Sequence, residues 1–536
     1  MKAMGKMTKK TVTIKNYLTL AGLKIPASIF TERTNGAEIL YAYDCETDTS
    51  AKVRYVDVRG VIYPEDILAP NIEWQILLPF QWNGKTLQYG GGANNGSIPQ
   101  LKEAPVFCSV IPLEEGYIVY GSDSGHQSLD PMNAEFAANE EALENYIRLQ
   151  LIKMHMLMRY IVQYVYEQKP ELNFFAGGST GGREALECAT TYGKYYDGIF
   201  CAEPSCNYVL LRMWGAILSQ AVYETYDARN YPFSDGFIDE ATVEAIQKDA
   251  IDYYDDLDGI RDGVVSNIYA ARMQRNEFLK IITEKYGLTD AQLKTLDVYE
   301  NGFKLNYSLP NGFDTYYGYN ALEGGLMDLG SDPVPREPLD TKYNVHHGDR
   351  ADGVFKYIIT KDHSWKLIEH DYFHPDKKLY KTLMEASLKY DVNSPNFDDF
   401  IAHGGKIIFL GGWNDMSISP WQMIYQYRGY LEKYGKDKLD SFFKFYIMPS
   451  ITHCAGMTMD YLELLSKWCT ENQYPSEPLY GNMDATGGQM PMAEFPGWVR
   501  YVGGDTKKGE SYEICYDIAD KIWEMFETFF ASMSFS

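Results

Sequence analysis

The sequence predicts an α/β protein, a mostly parallel sheet with helices on both faces, interrupted by one large insertion. Three observations carry that reading. Short apolar runs alternate with helical periodicity between residues 86 and 202. The alternation stops from about Asn207 to Tyr390, where helices and Tyr-rich turns prevail, and resumes at residues 406–410. Between them the apolar run 172–176 ends in Gly177-Gly178-Ser179-Thr180-Gly181, and a helix-favouring run follows from Arg183. The domain layout that results is a core in two parts, 1–206 and 393–536, with a lid inserted at 207–392.

Composition sets the outer limits. A chain of 536 residues, 45% hydrophobic and 23% charged, has ample material for a large core. Asp and Glu outnumber Lys and Arg by 74 to 49, a net charge of -25, and no basic cluster is present to track a phosphate backbone. Nucleic acid is therefore excluded as a partner. The N-terminus is basic, but residues 11–16 alternate polar and apolar where a secretory leader needs an unbroken apolar stretch. No run is long enough to span a membrane, and a cytoplasmic protein is the expectation, with a secreted one the alternative if a leader has been removed from this sequence. Eight cysteines show no CxxC and no zinc spacing, which makes buried free thiols the default. The 44 tyrosines suit a pocket for flat or sugar-like ligands and suit plain core packing equally.

In chain order, residues 53–59 alternate and 72–80 read as a strand, giving an antiparallel opening to the sheet. A strand at 86–89 ends in Gly90-Gly91-Gly92-Ala93-Asn94-Asn95-Gly96. Another at 116–121 leads to the polar loop Ser122-Asp123-Ser124-Gly125-His126. Leu143, Ile147, Leu151, Met154, Met158, Ile161 and Tyr164 recur at helical spacing, with His155 as a packing residue of the same helix. A strand at 198–202 runs into Glu203-Pro204-Ser205. After the insertion, 406–410 leads to Gly411-Gly412-Trp413-Asn414-Asp415, and a strand at 443–448 leads to Pro449-Ser450-Ile451-Thr452-His453-Cys454.

The chemistry gathers at Ser179. A serine in a Gly-x-Ser-x-Gly frame between a strand and a helix is a nucleophile elbow: the glycines leave room for a strained turn, and the hydroxyl stands exposed at the helix start. The bland alternative is a glycine-rich turn whose serine caps the helix. The order Ser179, Asp415, His453 is that of the α/β-hydrolase arrangement, in which the serine attacks an acyl carbon, the histidine moves the proton and the aspartate fixes the imidazole tautomer. The Thr180 amide and one glycine of the 90–92 run, Gly91 foremost, are the oxyanion donors. His126, His346, His347 and His403 compete for the base role, but His453 alone follows the last core strand with the carboxylate upstream. Asp123 is the rival acid and precedes the serine.

Inside the insertion, Asp255-Asp256-Leu257-Asp258-Gly259-Ile260-Arg261-Asp262-Gly263-Val264 places the carboxylates of Asp255, Asp258 and Asp262 within eight residues, with glycines to turn the backbone. Such a loop can wrap one hard cation, carbonyls completing the shell. Its spacing is not that of an EF-hand, and a solvated acidic loop is the alternative.

Taken together, these motifs resemble the tannase and feruloyl esterase family. The matching segments are the Gly90 loop; Gly116-Tyr117 through His126; Gly177 to Arg183; residues 255–264; Phe355-Lys356-Tyr357 with Trp365; Gly404 through Asp415 to Pro420; His453-Cys454; and Arg500-Tyr501 with Gly503-Gly504. The resemblance implies a serine carboxylic-ester hydrolase acting on small-molecule esters of hydroxycinnamic or gallic acids. It implies Ser179, Asp415 and His453 as the triad, and a lid with structural calcium on Asp255, Asp258, Asp262 and the carbonyls of Ile260 and Val264. Three cysteines that the family pairs are absent here: Gly178, Tyr254 and Ala493 stand in their places. Cys454 is thus left without its partner, which fits a reducing compartment. The same constellation could serve a serine peptidase or an acyltransferase, and a different class altogether would be a non-catalytic, calcium-dependent binding protein.

Overall fold

The computed structural model describes residues 14–227, 234–340, 342–474 and 478–531; most of the N-terminal stretch read against a leader lies outside the described residues. Two compact units emerge. The first holds the described residues up to Cys201 with Asn396–Ile407 and Asp460–Tyr474; the second holds Ala202–Pro395, Ile408–Met459 and the described residues from 478 onward. The stretch 207–392, expected as a lid, thus groups with the strands that precede Asp415 and His453.

The first unit contains β1 (Lys24–Ile25), β2 (Ala37–Glu46), β3 (Arg54–Ile62), β4 (Ile72–Pro79), β5 (Lys85–Tyr89), β6 (Ile118–Ser122), α1 (Glu140–Glu144), α2 (Gln150–Tyr166), β7 (Leu172–Gly178), α3 (Thr180–Thr190) and β8 (Gly198–Ala202). Its sheet runs β1-β2-β3-β4-β6-β5-β7-β8. Pairing is antiparallel from β2 to β4 and on to β6, then parallel between β5 and both β6 and β7. The switch follows burial: β5, β6 and β7 are covered almost throughout, as parallel strands between helices must be. Helix α2 lays Met154, Leu157, Met158, Ile161 and Val165 against Val58, Ile76, Leu78, Ile118 and Tyr120 in one core. The long helix read through Leu143–Tyr164 runs without interruption from α1 into α2, with one π turn, Asn145–Leu149, between them.

In the second unit come α4 (Tyr208–Tyr223), α5 (Glu240–Tyr254), α6 (Ile268–Tyr286), α7 (Asp290–Asn301), the hairpin β9 (Gly302–Lys304) and β10 (Thr315–Tyr317), α8 (His346–Val354) and α9 (Lys377–Tyr390). Helix α4 is buried nearly all round, as its apolar composition requires, and forms the axis of this helical region. Trp214 at its centre is ringed by Tyr299, Tyr316, Tyr319 and His347. Many of the tyrosines therefore pack the interior. The unit also carries β11 (Lys406–Gly412) from Ile408 onward, α11 (Pro420–Tyr434) and β12 (Phe443–Met448); α10 (Asp398–His403) belongs to the first unit, and the short α12 (Lys436–Asp440) precedes β12.

Candidate active site

On the nucleophile side, β7 ends at Gly178 and α3 begins at Thr180, one turn earlier than the helix read from Arg183. Ser179 between them adopts φ 59° and ψ -120°, a conformation a non-glycine residue holds only where its surroundings impose it. Its hydroxyl makes no cap hydrogen bond. The capping alternative therefore fails, and the half-buried side chain keeps its oxygen available.

Glycine is required here by contact. A Cβ on Gly177 would come 2.5 Å from the Gly181 carbonyl oxygen, and one on Gly181 would come 2.7 Å from the Gly91 carbonyl oxygen. The glycine loop is thus pressed directly onto the elbow. The Thr180 hydroxyl ties the same loop through the Ala93 carbonyl at 2.5 Å, leaving the Thr180 amide in the first, unpaired turn of α3.

Below the loop lies Glu184, fully buried. It accepts from Gly91 N at 2.9 Å, Asn95 Nδ2 at 2.9 Å and Gln150 Nε2 at 3.3 Å, and burial pushes its carboxyl up. This alters the expectation for Gly91, whose N–H is spent on Glu184 and cannot face an oxyanion while that bond stands. At Gly92 a Cβ would meet nothing within 4 Å, so the open position of the run is there.

On the acid–base side, all within the second unit, Asp415 follows β11 and His453 follows β12. Asp415 Oδ2 lies 3.0 Å from His453 Nδ1, while Oδ1 accepts from Ser417 N at 2.6 Å and Ile418 N at 3.1 Å. The carboxylate is thus fixed at the Nδ1 edge of the ring. The two loops interlock: Asn414 N donates to Ile451 O and Asn414 Oδ1 accepts from Ser450 N, both at 3.1 Å. A Cβ on Gly412 would come 2.4 Å from the Ile451 carbonyl oxygen, so the approach demands glycine.

Helix α8 braces the Asp415 loop. His347 Nε2 lies 2.7 Å from the Met416 carbonyl, His346 Nε2 lies 3.1 Å from Ser417 Oγ, and Tyr319 donates to Ser417 O at 3.0 Å. These two histidines, rivals for the base role, are loop supports, and burial drives His346 down to about 3. His126 is buried and stacked on Phe136 at 3.6 Å. His155 is buried as a packing residue. Asp123 is consumed by Glu73 N, Gly125 N and Gln127 Nε2, and burial lifts it to about 7.

Sequence reasoning missed Glu203. It follows β8, is completely buried, accepts Cys454 N at 2.7 Å on Oε2, and brings that oxygen 3.5 Å from His453 Nδ1. Its position just after a core strand was the one available signal. None of the eight cysteines is in a disulfide, and Cys454 carries a free thiol.

In the 255–264 loop, Asp255 accepts from the amides of Asp262, Gly263 and Val264, and Asp258 from those of Ile260 and Ser266. Burial and then, after the amide bonds that oppose it, repulsion from Asp262 raise Asp258 to about 6; burial and then repulsion from Asp255 raise Asp262. Gly259 and Gly263 take positive φ, 97° and 84°, as the turn requires. Among the described residues, three ligand atoms within 4.8 Å of one another occur at Glu203, His453 and Cys454 and not among these aspartates.

Against known proteins, the family model described as tannase and feruloyl esterase matches residues 56–515. An uncharacterized esterase of Agrobacterium fabrum is 37% identical over 521 residues, covering 93% of this chain and 92% of that protein. A probable feruloyl esterase of Arthroderma benhamiae is 23% identical over 470 residues, covering 82% and 81%. Among solved structures, feruloyl esterase B from Aspergillus oryzae matches with a TM-score of 0.71 at 18% identity, covering 90% of this chain and 96% of that one. Tannin acyl hydrolase from Aspergillus niger matches at 0.66 and 15% identity, covering 99% and 97%. At those identities the two structures speak for the fold, an α/β-hydrolase core. No helix of the described residues is long and apolar enough to cross a membrane.

Proposed function

We propose that this chain, which belongs to the tannase and feruloyl esterase family and is by that membership a carboxylic ester hydrolase, cleaves small-molecule esters of aromatic acids through an acyl-enzyme on Ser179. The observation that carries the reading is the pair of Asp415 Oδ2 and His453 Nδ1 at 3.0 Å, with the carboxylate anchored on two amides. His453 takes the Ser179 proton as the hydroxyl attacks the acyl carbon, then returns it to the leaving alcohol; water repeats the sequence to free the acid. Asp415 holds the ring and balances the imidazolium. The amides of Thr180 and, with Gly91 engaged, Gly92 stabilise the oxyanion. Hydroxycinnamic and gallic esters are the substrates this reading favours, on the strength of the feruloyl esterase and tannin acyl hydrolase relatives.

The aspartate loop fits a structural calcium ion in one respect: buried, mutually repelling carboxylates gain from a counter-charge. Asp255, Asp258 and Asp262 with the Ile260 and Val264 carbonyls would hold it. The ion's contribution is to stabilise this loop, and no step of the reaction passes through it.

The test is a fluorophosphonate probe followed by peptide mapping, beside a panel of feruloyl, caffeoyl and galloyl esters and the matching amides. Labelling at Ser179 with turnover confined to esters is the expected result. Labelling elsewhere, or amides cleaved as fast as esters, would overturn it.

A further inference from the structure

Glu203 has no part in the mechanism just given, yet its surroundings are those of a working group. It is fully buried, stands at φ 44°, and its own N–H is tied to Leu410 O of β11 at 2.9 Å. Its Oε2 holds the Cys454 amide and lies 3.5 Å from His453 Nδ1, against 3.0 Å for Asp415. Its Oε1 has no hydrogen-bond partner among the described residues, a costly state for a buried oxygen that needs a reason. Cys454, which Glu203 anchors, is itself strained at φ 58°. Two carboxyl groups from two different strand ends therefore converge on one imidazole nitrogen.

We propose that Glu203 is a positioning residue for this same reaction: a second carboxyl partner of His453 Nδ1 that fixes the histidine loop and carries the imidazolium's counter-charge when Asp415 cannot. The inference rests on the reading of His453 as the base. In the resting protein burial and the nearby Asp415 charge hold the Glu203 carboxyl well above the usual carboxylate range, so it keeps its proton. Two like charges beside one ring would otherwise repel. Removing the Asp415 charge removes part of that bias, and Glu203 can then lose its proton to solvent and pair with the imidazolium. The titratable groups facing it among the described residues are Asp415 after β11, and His453 and Cys454 after β12.

The experiment is a double-variant cycle on an activated aryl ester with D415N, E203Q and D415N/E203Q. Neutralising the carboxylate of a triad with no substitute costs roughly 10⁴-fold in kcat. Here D415N is expected to cost about 10²-fold, E203Q alone about threefold, and E203Q in the D415N background a further 10-fold or more, with kcat and not KM carrying the change. The D415N enzyme should also gain activity as pH rises through the ionisation of Glu203, a rise the double variant lacks. Additive losses, or a D415N profile without that rise, overturn the proposal; the second measurement needs no variant at Glu203 and stands even if E203Q misfolds. Should Ser179→Ala retain turnover, the esterase reading falls first, which separates the two failures.

Discussion

Ser179 is held by glycines and His453 by carboxyl groups, and the contrast follows from what the proposed reaction asks of each. The nucleophile needs a fixed backbone with nothing beside it, so Gly90, Gly177 and Gly181 pack main chain against main chain and leave the serine at a strained φ. The base must turn over protons, so its surroundings are groups that hold the ring and its loop in place: Asp415 on Nδ1, Glu203 beside it, and a loop tied by amides. Steric placement tolerates no substitution, whereas electrostatic placement can be shared between groups.

That difference can be broken or sharpened by substitution. The largest effect belongs to Ser179→Ala, for which kcat on an aryl ester should fall by roughly 10⁴- to 10⁶-fold with the melting temperature little changed; retained turnover would remove the nucleophile from the account. Gly181→Ala comes next, because its Cβ would collide with the Gly91 carbonyl and neither backbone can yield cheaply. It should destabilise the protein by about 1–3 kcal/mol in urea unfolding and lower activity with it; a silent Gly181→Ala would show that the elbow is not sterically built. Glu184→Gln keeps the side chain's shape but loses one of its two acceptors for Gly91, Asn95 and Gln150. A fall of about 10-fold in kcat is the expected outcome, measured under saturating substrate.

The smallest effect lies away from the reacting groups. Asp258, lifted to about 6 mainly by burial, binds its proton more tightly folded than unfolded. Its contribution to stability is therefore complete below its unfolded value near 4 and is lost as pH rises to about 6. With a chelator present the melting temperature should decline across that window, by a few degrees, and Asp258→Asn should flatten the decline. Added calcium should raise the melting temperature most above pH 6 and do nothing for Asp258→Asn. A calcium response that survives in the variant would move the ion elsewhere.

Local rules made much of the fold legible. β8 and β12 begin and end where their apolar runs do, and β7 exceeds its run by two glycines that carry the strand into the elbow. Strand β2 escaped detection because only Ala37 and Ile39 are buried along its ten residues, leaving no alternation to read. Asp415 and His453 were legible from chain order. Glu203 was not, since a glutamate after a strand is unremarkable until a loop 251 residues away closes on it. The role expected of Gly91 shifted for a like reason: Glu184, buried one turn into α3, claims its amide through a contact no spacing rule encodes.

The free thiol at Cys454 has a practical side. Because amides and carboxyl groups secure the loop that bears His453, with no covalent tie to the elbow, dithiothreitol or glutathione has no sulfur–sulfur bond to cut there. A catalyst so assembled should come through expression and storage in reductant with its turnover intact.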